Sequence, residues 1–442
     1  MERFGEANAA PVVAQMKPDI AQFVRDVRSG EIDPFAEDQE APGPDAGPAA
    51  DTDAEPEAEA GNPRTALGAA FARAFREGRE FKTIIEARAF AREQGQDLAN
   101  KDLEEAIETG LVMRSREIAA EAQSPVEAYG RLVELYRAQP NLAQRTSTSI
   151  EQQAYSTPAP LAYLASRLAG IDATTTVYEP SAGHGMLLME AEPENVTANE
   201  LNPDRFAALS DVYEGATLTQ GDAMDAAPAA PVDRVIANPP FGKVKDDAGK
   251  TRRFPMLDSR TTEIDHAISM RALEQGMKED GRAVLIIGGH KGDEAARKKS
   301  YQGKTHHPFM TKLYDRFNVV EHITVDGQLY KRQGAQWPVD VIVVDGRGRS
   351  GKAYPYVEAP PLYSDWETLG RRLEANAVQL DPGREQARSG DGPDGAPPDG
   401  ADDAGGLRGP AEGEDRPDGA GDRPGGPGGG DGAGVSPRGP RL

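Results

Sequence analysis

Patterns typical of strands and helices alternate along the chain between about residue 150 and residue 350. Seven short apolar runs predict strands, at Thr175–Glu179, Val196–Glu200, Ala216–Thr219, Val232–Ala237, Ala283–Ile287, Val319–Val325 and Val339–Asp345. Helical periodicity lies between them, as at Pro160–Leu168, Asp204–Val212 and Ile264–Met277. This alternation predicts an α/β fold with a mostly parallel sheet covered on both faces. The last two strands are joined by a loop too short for a crossover helix, so we expect a Rossmann-like sheet of seven strands whose last strand is antiparallel.

The rest of the chain divides into three segments around this α/β domain, which we place at residues 144–375. Residues 1–62 predict one short helix, from Val12 to Val27, followed by an acidic, disordered linker. Residues 63–143 carry apolar side chains at helical spacing and predict three to five helices, which form a bundle or cap rather than a catalytic unit. Residues 376–442 consist mainly of Gly, Pro, Asp and Arg and predict a disordered tail.

The formal net charge of −23 is unevenly distributed. Residues 31–60 carry eleven acidic and no basic side chains, whereas residues 144–350 carry 28 acidic and 24 basic ones. The central domain is therefore close to neutral, and the overall acidity does not exclude a nucleic-acid substrate.

Cysteine is absent, which excludes disulfides, thiolate metal sites and a Cys nucleophile, and with it cytosine-C5 methylation through a thioether. Without a signal-peptide pattern or an apolar run near the roughly 18–20 residues that span a bilayer, we expect a cytoplasmic protein without membrane association.

The sequence Asn238-Pro239-Pro240-Phe241 directly follows the fourth predicted strand. The side-chain oxygen of Asn238 and the carbonyl of Pro239 can each accept one N–H bond from a planar amino group. The prolines stiffen the loop and offer no competing donor, and Phe241 offers a face for base stacking. This combination fits methyl transfer to an amino nitrogen.

Three other predicted strands end in residues that suit a nucleotide-like ligand. Gly183 and Gly185 lie in a turn after the first strand, Glu200 ends the second, and Asp222 follows the third. Glycines allow close backbone approach, Glu200 can accept from ribose hydroxyls, and Asp222 from an adenine amine. A tight turn, a solvated charge or a helix cap would explain each residue alone. Their shared position at carboxyl strand ends favours a ligand site.

On these motifs the chain resembles the amino-methylating, S-adenosylmethionine-dependent DNA methyltransferases, most closely the N6-adenine enzymes of the gamma arrangement, over roughly residues 150–345. The segment Tyr155-Ser156-Thr157-Pro158 is similar to the family's Tyr-x-Thr-Pro element, which closes over the methionine part of the cofactor. The resemblance implies that the catalytic residues are Asn238, Pro239, Pro240 and Phe241, and that they bind an adenine flipped out of DNA. It implies that S-adenosylmethionine contacts Tyr155, Thr157, Pro158, Glu179, Ser181, Ala182, Gly183, Gly185, Glu200, Asp222 and Ala223.

The stretches Glu80–Arg88 and Arg145–Ile171 also resemble the methylase portions of phage and plasmid proteins that carry a strawberry-notch-like helicase. Gamma-type enzymes usually add a target-recognition domain after the catalytic one, where this sequence predicts a disordered tail. Sequence specificity is therefore either weak or supplied in trans by a helicase or specificity partner. The resemblance implies a phage or plasmid setting, and it leaves restriction protection, anti-restriction and regulation open as the role.

Two predicted loops at the catalytic edge are candidate phosphate-binding segments, although each basic residue could equally be an ordinary solvated charge. They contain Lys243, Lys245, Lys250, Arg252, Arg253 and Arg260, and Lys291, Arg297, Lys298, Lys299 and Lys304. His266, His306 and His307 show no convincing ligand pattern, so we assign no metal.

Two other functional classes remain open. RNA-adenine and protein-glutamine methylases share the Asn-Pro-Pro-aromatic element. A non-enzymatic DNA-binding or assembly module of a mobile element could keep the same fold.

Overall fold

A computed structural model describes residues 62–142, 156–246, 248–334 and 336–376. The predicted helix Val12–Val27, the acidic linker and the Gly/Pro-rich tail lie outside the described residues, as does Tyr155. Within the described part of the chain, no helix is both long enough and apolar enough to cross a bilayer.

Four helices form the first described segment, within the range that the sequence predicts. They are α1 (Pro63–Arg76), α2 (Ile84–Glu93), α3 (Asn100–Glu121) and α4 (Pro125–Ala138). Thr83 and Ser124 cap α2 and α4 by accepting bonds from backbone N–H groups three residues on. Phe71, Phe75, Phe81 and Phe90 pack their rings together, with centroids 5.0–6.5 Å apart, and form the core between α1 and α2.

One sheet of eight strands organises the rest. Its strands are β1 (Val177–Glu179), β2 (Val196–Glu200), β3 (Thr217–Gln220), β4 (Val232–Ala237), β7 (Met277–Gly288), β8 (Phe317–Val325), β9 (Val339–Arg347) and β10 (Leu362–Tyr363). The spatial order is β10-β8-β9-β7-β4-β1-β2-β3. Only β9 is antiparallel to its neighbours β7 and β8. The predicted seven-stranded Rossmann-like sheet with an antiparallel last strand is confirmed, and β10 extends it at one edge.

Helices cover both faces of this sheet, as expected from the alternation of buried side chains along its strands. They are α5 (Ala159–Ala169), α6 (Pro203–Val212), α7 (Ile264–Gly276), α8 (Glu294–Tyr301), α9 (His306–Arg316) and α10 (Trp366–Asn376). On β4, Ile236 belongs to the core under α5, whereas Val235 and Ala237 belong to the core with α7 and α9.

The first of these two cores also contains the helical segment. Leu111 of α3, Leu132 of α4 and Leu161 of α5 belong to the same buried cluster as Ile236 and Val284 of the sheet. The end of α4 is further attached by Tyr136, whose hydroxyl donates to the Leu329 carbonyl at 2.7 Å. The helices and the sheet therefore share one continuous core.

A small hairpin, β5 (Phe254–Met256) and β6 (Ser259–Thr261), lies between β4 and α7. It belongs to the segment that follows Asn238-Pro239-Pro240-Phe241, so the chain folds back beside the carboxyl ends of the strands before α7 begins.

Candidate active site

A cavity of about 240 Å³ opens where β1, β2, β3 and β4 end. Its wall contains most of the predicted site residues, namely Thr157, Glu179, Ser181, Ala182, Gly183, Glu200, Asp222, Ala223, Asn238, Pro239, Pro240 and Phe241. The sheet thus brings Glu179, Glu200 and Asn238 together, because the carboxyl ends of parallel strands meet at one edge.

Asn238 is fixed by a bond from its side-chain amide. Its Nδ2 donates to Oγ1 of Thr157 at 2.7 Å. Its Oδ1 is buried and has no hydrogen-bond partner among the described residues. Leaving a buried acceptor unsatisfied costs roughly 1–3 kcal/mol, so this oxygen is an acceptor suited to a ligand N–H group.

Asp265, at the start of α7, connects the loop after Phe241 to the end of β7. Its two carboxylate oxygens accept from the backbone N–H groups of Gly242 at 3.3 Å and Gly288 at 3.1 Å. Burial raises the pKa of Asp265 to about 6, against the lowering effect of these bonds. Phe241 lies beside Gly288, one of the two residues whose backbone N–H bonds Asp265.

The two glycines of the turn after β1 have different roles. Both adopt left-handed conformations, with φ +58° at Gly183 and φ +86° at Gly185. A Cβ at Gly183 would meet nothing within 4 Å, whereas one at Gly185 would lie 2.3 Å from the Tyr213 ring. Gly183 therefore leaves open space for a ligand, and Gly185 is required for packing.

Two of the predicted cofactor residues do not line the cavity, so their contact with a cofactor stays a prediction. Gly185 packs against Tyr213 instead of lining the cavity, because its Cα faces α6. Pro158 is the residue that precedes α5 and likewise does not contribute to the cavity wall.

Glu200 and its neighbour Asn199 join the three strand-end loops. Glu200 accepts from Gly183 N and Asn202 N, both at 2.8 Å, so its carboxylate sits directly against the glycine turn. Asn199 Nδ2 donates to the carbonyls of Pro180 and Gly221, at 3.0 and 2.9 Å. Asn199 is a site residue that the sequence did not single out, although it immediately precedes Glu200.

Among the residues that the structure describes, none is a counter-ion to the carboxyl group of Glu179. It is 1% exposed, and its Oε2 has no hydrogen-bond partner within the described ranges. Burial, and then repulsion from Glu200, raises the pKa of Glu179 well above its usual value. A cationic ligand group at this point would stabilise the charged carboxylate.

Asp222 is only half-buried. Its Oδ1 accepts from Met224 N at 2.9 Å, as expected of an Asx turn, while the residue also lines the cavity with Ala223.

The helical segment supplies part of the wall. Glu108, Leu111 and Val112 of α3 line the cavity, together with His184 and Arg205. This contribution could not be predicted from the sequence, because α3 lies about 70 residues before the glycine turn. A histidine between two glycines was the one available signal.

Glu105, Glu108 and His184 are also a group, among the described residues, whose ligand atoms are close enough to hold a metal ion. However, Nε of Arg205 lies 3.3 Å from Glu105 Oε2, and a guanidinium there competes with a metal cation for the same carboxylate. Glu105 and Glu108 are therefore better suited to pair with a protonated His184 than to bind a metal ion.

The other histidines form ring contacts. His266 is fully buried and stacks on Phe309, with centroids 4.0 Å apart, and His306 lies 5.0 Å from it. His307 stacks on Tyr356 instead.

The basic residues near the hairpin are exposed, and Arg252 also lines the cavity. In the second basic loop one prediction is wrong. Arg297 is 6% exposed and donates to the Pro360 carbonyl at 2.7 Å, so it is a buried structural residue and not a phosphate contact.

Comparison with known proteins gives only remote likenesses. No protein-family model matches the sequence, and no curated protein matches it significantly. A protein described as a modification subunit of a type I restriction enzyme from Vibrio vulnificus is 13% identical, with a TM-score of 0.40, over 59% of this chain and 60% of its own. A protein described as a class I S-adenosylmethionine-dependent methyltransferase from Listeria monocytogenes is 12% identical, with a TM-score of 0.39, over 72% of this chain and 96% of its own.

A third structure, the methyltransferase subunit of a type I restriction-modification system from Streptococcus thermophilus, is 15% identical, with a TM-score of 0.32, over 50% of this chain and 49% of its own. The chain thus spans less than two thirds of the first and third of these proteins.

Proposed function

We propose that this chain transfers a methyl group from S-adenosylmethionine to the N6 amino group of adenine in DNA. The observation that carries the proposal is Oδ1 of Asn238, which is buried in the cavity wall without a partner among the described residues. An acceptor held in this way suits an amino group, which has N–H bonds to donate. The resemblance of the motifs to N6-adenine enzymes supports the same conclusion.

The opposite side of the cavity fits the cofactor. When bound, S-adenosylmethionine supplies an electrophilic methyl group attached to a sulfonium. The unpaired carboxyl of Glu179 suits its ammonium group, and Gly183 leaves room for close approach. Glu200 would accept from the ribose hydroxyls, and Asp222 from the adenine amine.

At the target base, Asn238 Oδ1 and the Pro239 carbonyl accept the two N–H bonds of the amino group, and the base stacks on Phe241. The nitrogen then keeps its lone pair directed at the methyl group. A carbon–nitrogen bond forms as the carbon–sulfur bond breaks, and one nitrogen proton is released to water afterwards. The attacking nitrogen is neutral, so no base has to act first, and the residues accelerate the reaction mainly by positioning.

Exposed basic side chains beside the cavity favour a nucleic acid over a protein glutamine as the substrate. Arg252 lines the cavity, and Lys243, Arg253 and Arg260 are exposed on the same segment. Adenine N6 is inaccessible within a duplex, so the base would have to be flipped out. A helicase or specificity partner in trans and a setting in phage or plasmid modification or anti-restriction remain predictions.

Binding and transfer measured together test this proposal. We expect calorimetry to show S-adenosylmethionine binding, and radiolabelled methyl groups to enter adenine-containing DNA in preference to matched RNA or a glutamine peptide. Binding of DNA without cofactor binding would support the non-enzymatic module instead. Transfer to RNA or peptide alone would replace the substrate that we propose.

A further inference from the structure

His184, which stands between Gly183 and Gly185 in the glycine turn (residues 181–185), lies between two carboxylates of α3. Its Nε2 is 2.8 Å from Oε2 of Glu105, and its Nδ1 is 3.1 Å from Oε2 of Glu108. The two glutamates are three residues apart and so share one face of the helix. Carboxylates beside both ring nitrogens suit an imidazolium, which carries a proton on each nitrogen.

The charges around this histidine agree with that protonation state. Burial lowers the pKa of His184, but Glu105 and Glu108 outweigh this effect and raise it to about 9. Glu104, on the same helix, faces both of these glutamates, and Arg205 of α6 approaches Glu105 from the other side. The imidazolium and the guanidinium together balance the buried carboxylates.

A second attachment from α3 holds the segment after the turn. Arg116 donates to the carbonyls of Leu188 and Ala191, at 3.4 and 3.2 Å, and its guanidinium lies 4.5 Å from the centroid of the Tyr213 ring. The Tyr213 hydroxyl donates in turn to the Gly185 carbonyl at 2.6 Å. Helix α3 therefore contacts the chain at both ends of residues 184–191.

We propose that α3 is a working part of the cofactor site, in which Glu105 and Glu108 clamp a protonated His184 and so fix the glycine turn in its ligand-binding form. This inference rests on the proposed function, since it assumes that the turn binds S-adenosylmethionine. His184, Glu105 and Glu108 are positioning residues: they act through the backbone of Gly183, whose N–H also bonds Glu200. The helical segment thereby gains a role beyond that of a cap.

The first test needs no ligand. The amides of Gly185 in the turn and of Leu188 just after it bond to the carbonyls of Ala182 and Gly185, at 2.8 and 3.0 Å, and are expected to exchange slowly. Hydrogen exchange of residues 183–191 should be at least about tenfold faster in His184→Gln and in the double variant Glu105→Gln, Glu108→Gln. Glu117→Gln is the matched control, because this α3 glutamate pairs with Arg76 and Arg114 and not with the turn.

The second test measures the cofactor. In His184→Gln the Kd for S-adenosylmethionine should rise about tenfold, while kcat at saturating cofactor changes little. The clamp requires a protonated His184, so it is present below the pKa of this residue and is lost as pH rises through about 9. Above that pH the wild-type protein also lacks the clamp, and the ratio of the variant Kd to the wild-type Kd should fall towards one. If His184→Gln does not fold, the same exchange and pH measurements on Glu108→Gln decide.

The outcomes separate the two claims. If the variants exchange faster but the wild-type protein binds no S-adenosylmethionine, the clamp would be upheld and the proposed function overturned. Unchanged exchange and a Kd within about twofold of wild type in both variants would overturn the clamp and leave the proposed function standing.

Discussion

The side-chain amide of Asn238 donates to the hydroxyl of Thr157 at 2.7 Å, across 81 residues of sequence. In this arrangement the bond occupies Nδ2 of the amide. With Nδ2 occupied by Thr157, Oδ1 is the end left to accept a bond from a ligand. A residue predicted to close over the cofactor thus also orients the residue predicted to bind the target base.

Replacing Thr157 by Val keeps the shape of the side chain and removes the acceptor. The Asn238 amide can then rotate, and its oxygen is no longer held towards the amino group. Losing one such bond is worth about 1–1.5 kcal/mol, so kcat at saturating cofactor should fall about tenfold. Thr157→Ser, which keeps the hydroxyl, should restore most of the activity; equal losses in both variants would contradict the orienting role.

Alanine at the two glycines of the turn should have opposite consequences. At Gly183 the left-handed backbone costs about 1–2 kcal/mol and the methyl group enters the cavity, so the protein should fold but bind S-adenosylmethionine at least tenfold more weakly. At Gly185 the methyl group would collide with the buried Tyr213 ring, so a large loss in Tm is expected. Thermal unfolding and calorimetry on both variants check this, and a Gly183→Ala protein with wild-type cofactor affinity would exclude Gly183 from the site.

Removing two exposed arginines beside the cavity should weaken DNA binding through the phosphates. In the double variant Arg252→Gln, Arg260→Gln, affinity should fall about tenfold and the slope of log K against log salt should decrease by about 1–2. Arg73→Gln is the matched control, since Arg73 is exposed on α1, which contributes no residue to the cavity wall. An unchanged slope would show that the hairpin segment does not contact phosphates.

The stability of the protein should depend on pH through Glu104. Burial, and then repulsion from Glu108 and Glu105, raises the pKa of Glu104 from 4.5 to about 7. The folded state therefore holds this proton more tightly than the unfolded state, and stability falls as pH rises between about 4.5 and 7. Glu104→Gln removes the charge, so it should raise the free energy of unfolding by about 1 kcal/mol more at pH 8 than at pH 5. The expected difference is this small because solvent screens part of the repulsion at this half-buried group. Denaturant unfolding at both pH values measures this, and an equal effect at both would contradict it.

The sequence predicted the sheet well where strands are buried on both faces. The bounds of β2 and β4 match their predicted runs, and an Asn-Pro sequence closely follows the end of each strand. The start of β7 was missed by six residues, since Lys278, Glu279 and Asp280 are exposed and break the apolar pattern. The two-residue strand β10 carries too little pattern to be recognised.

The site could be predicted only where its residues end strands. Glu179, Glu200 and Asn238 lie at or directly after strand ends, so the topology of the sheet alone brings them to one edge. Glu108 and Leu111 reach the same cavity from a helix, through packing that no local spacing encodes. The packing role of Gly185 could not be predicted, because the sequence does not show the Tyr213 ring behind it.

The most direct measurement of the central claim is methyl transfer by Asn238→Ala, followed as N6-methyladenine in DNA by mass spectrometry, beside calorimetry with S-adenosylmethionine. Without Oδ1 the amino group loses a positioning acceptor, so we predict at least about a 100-fold loss of turnover. The cofactor Kd should stay within about threefold of wild type. Wild-type turnover in Asn238→Ala would contradict the assignment of this residue and, with it, the proposed chemistry.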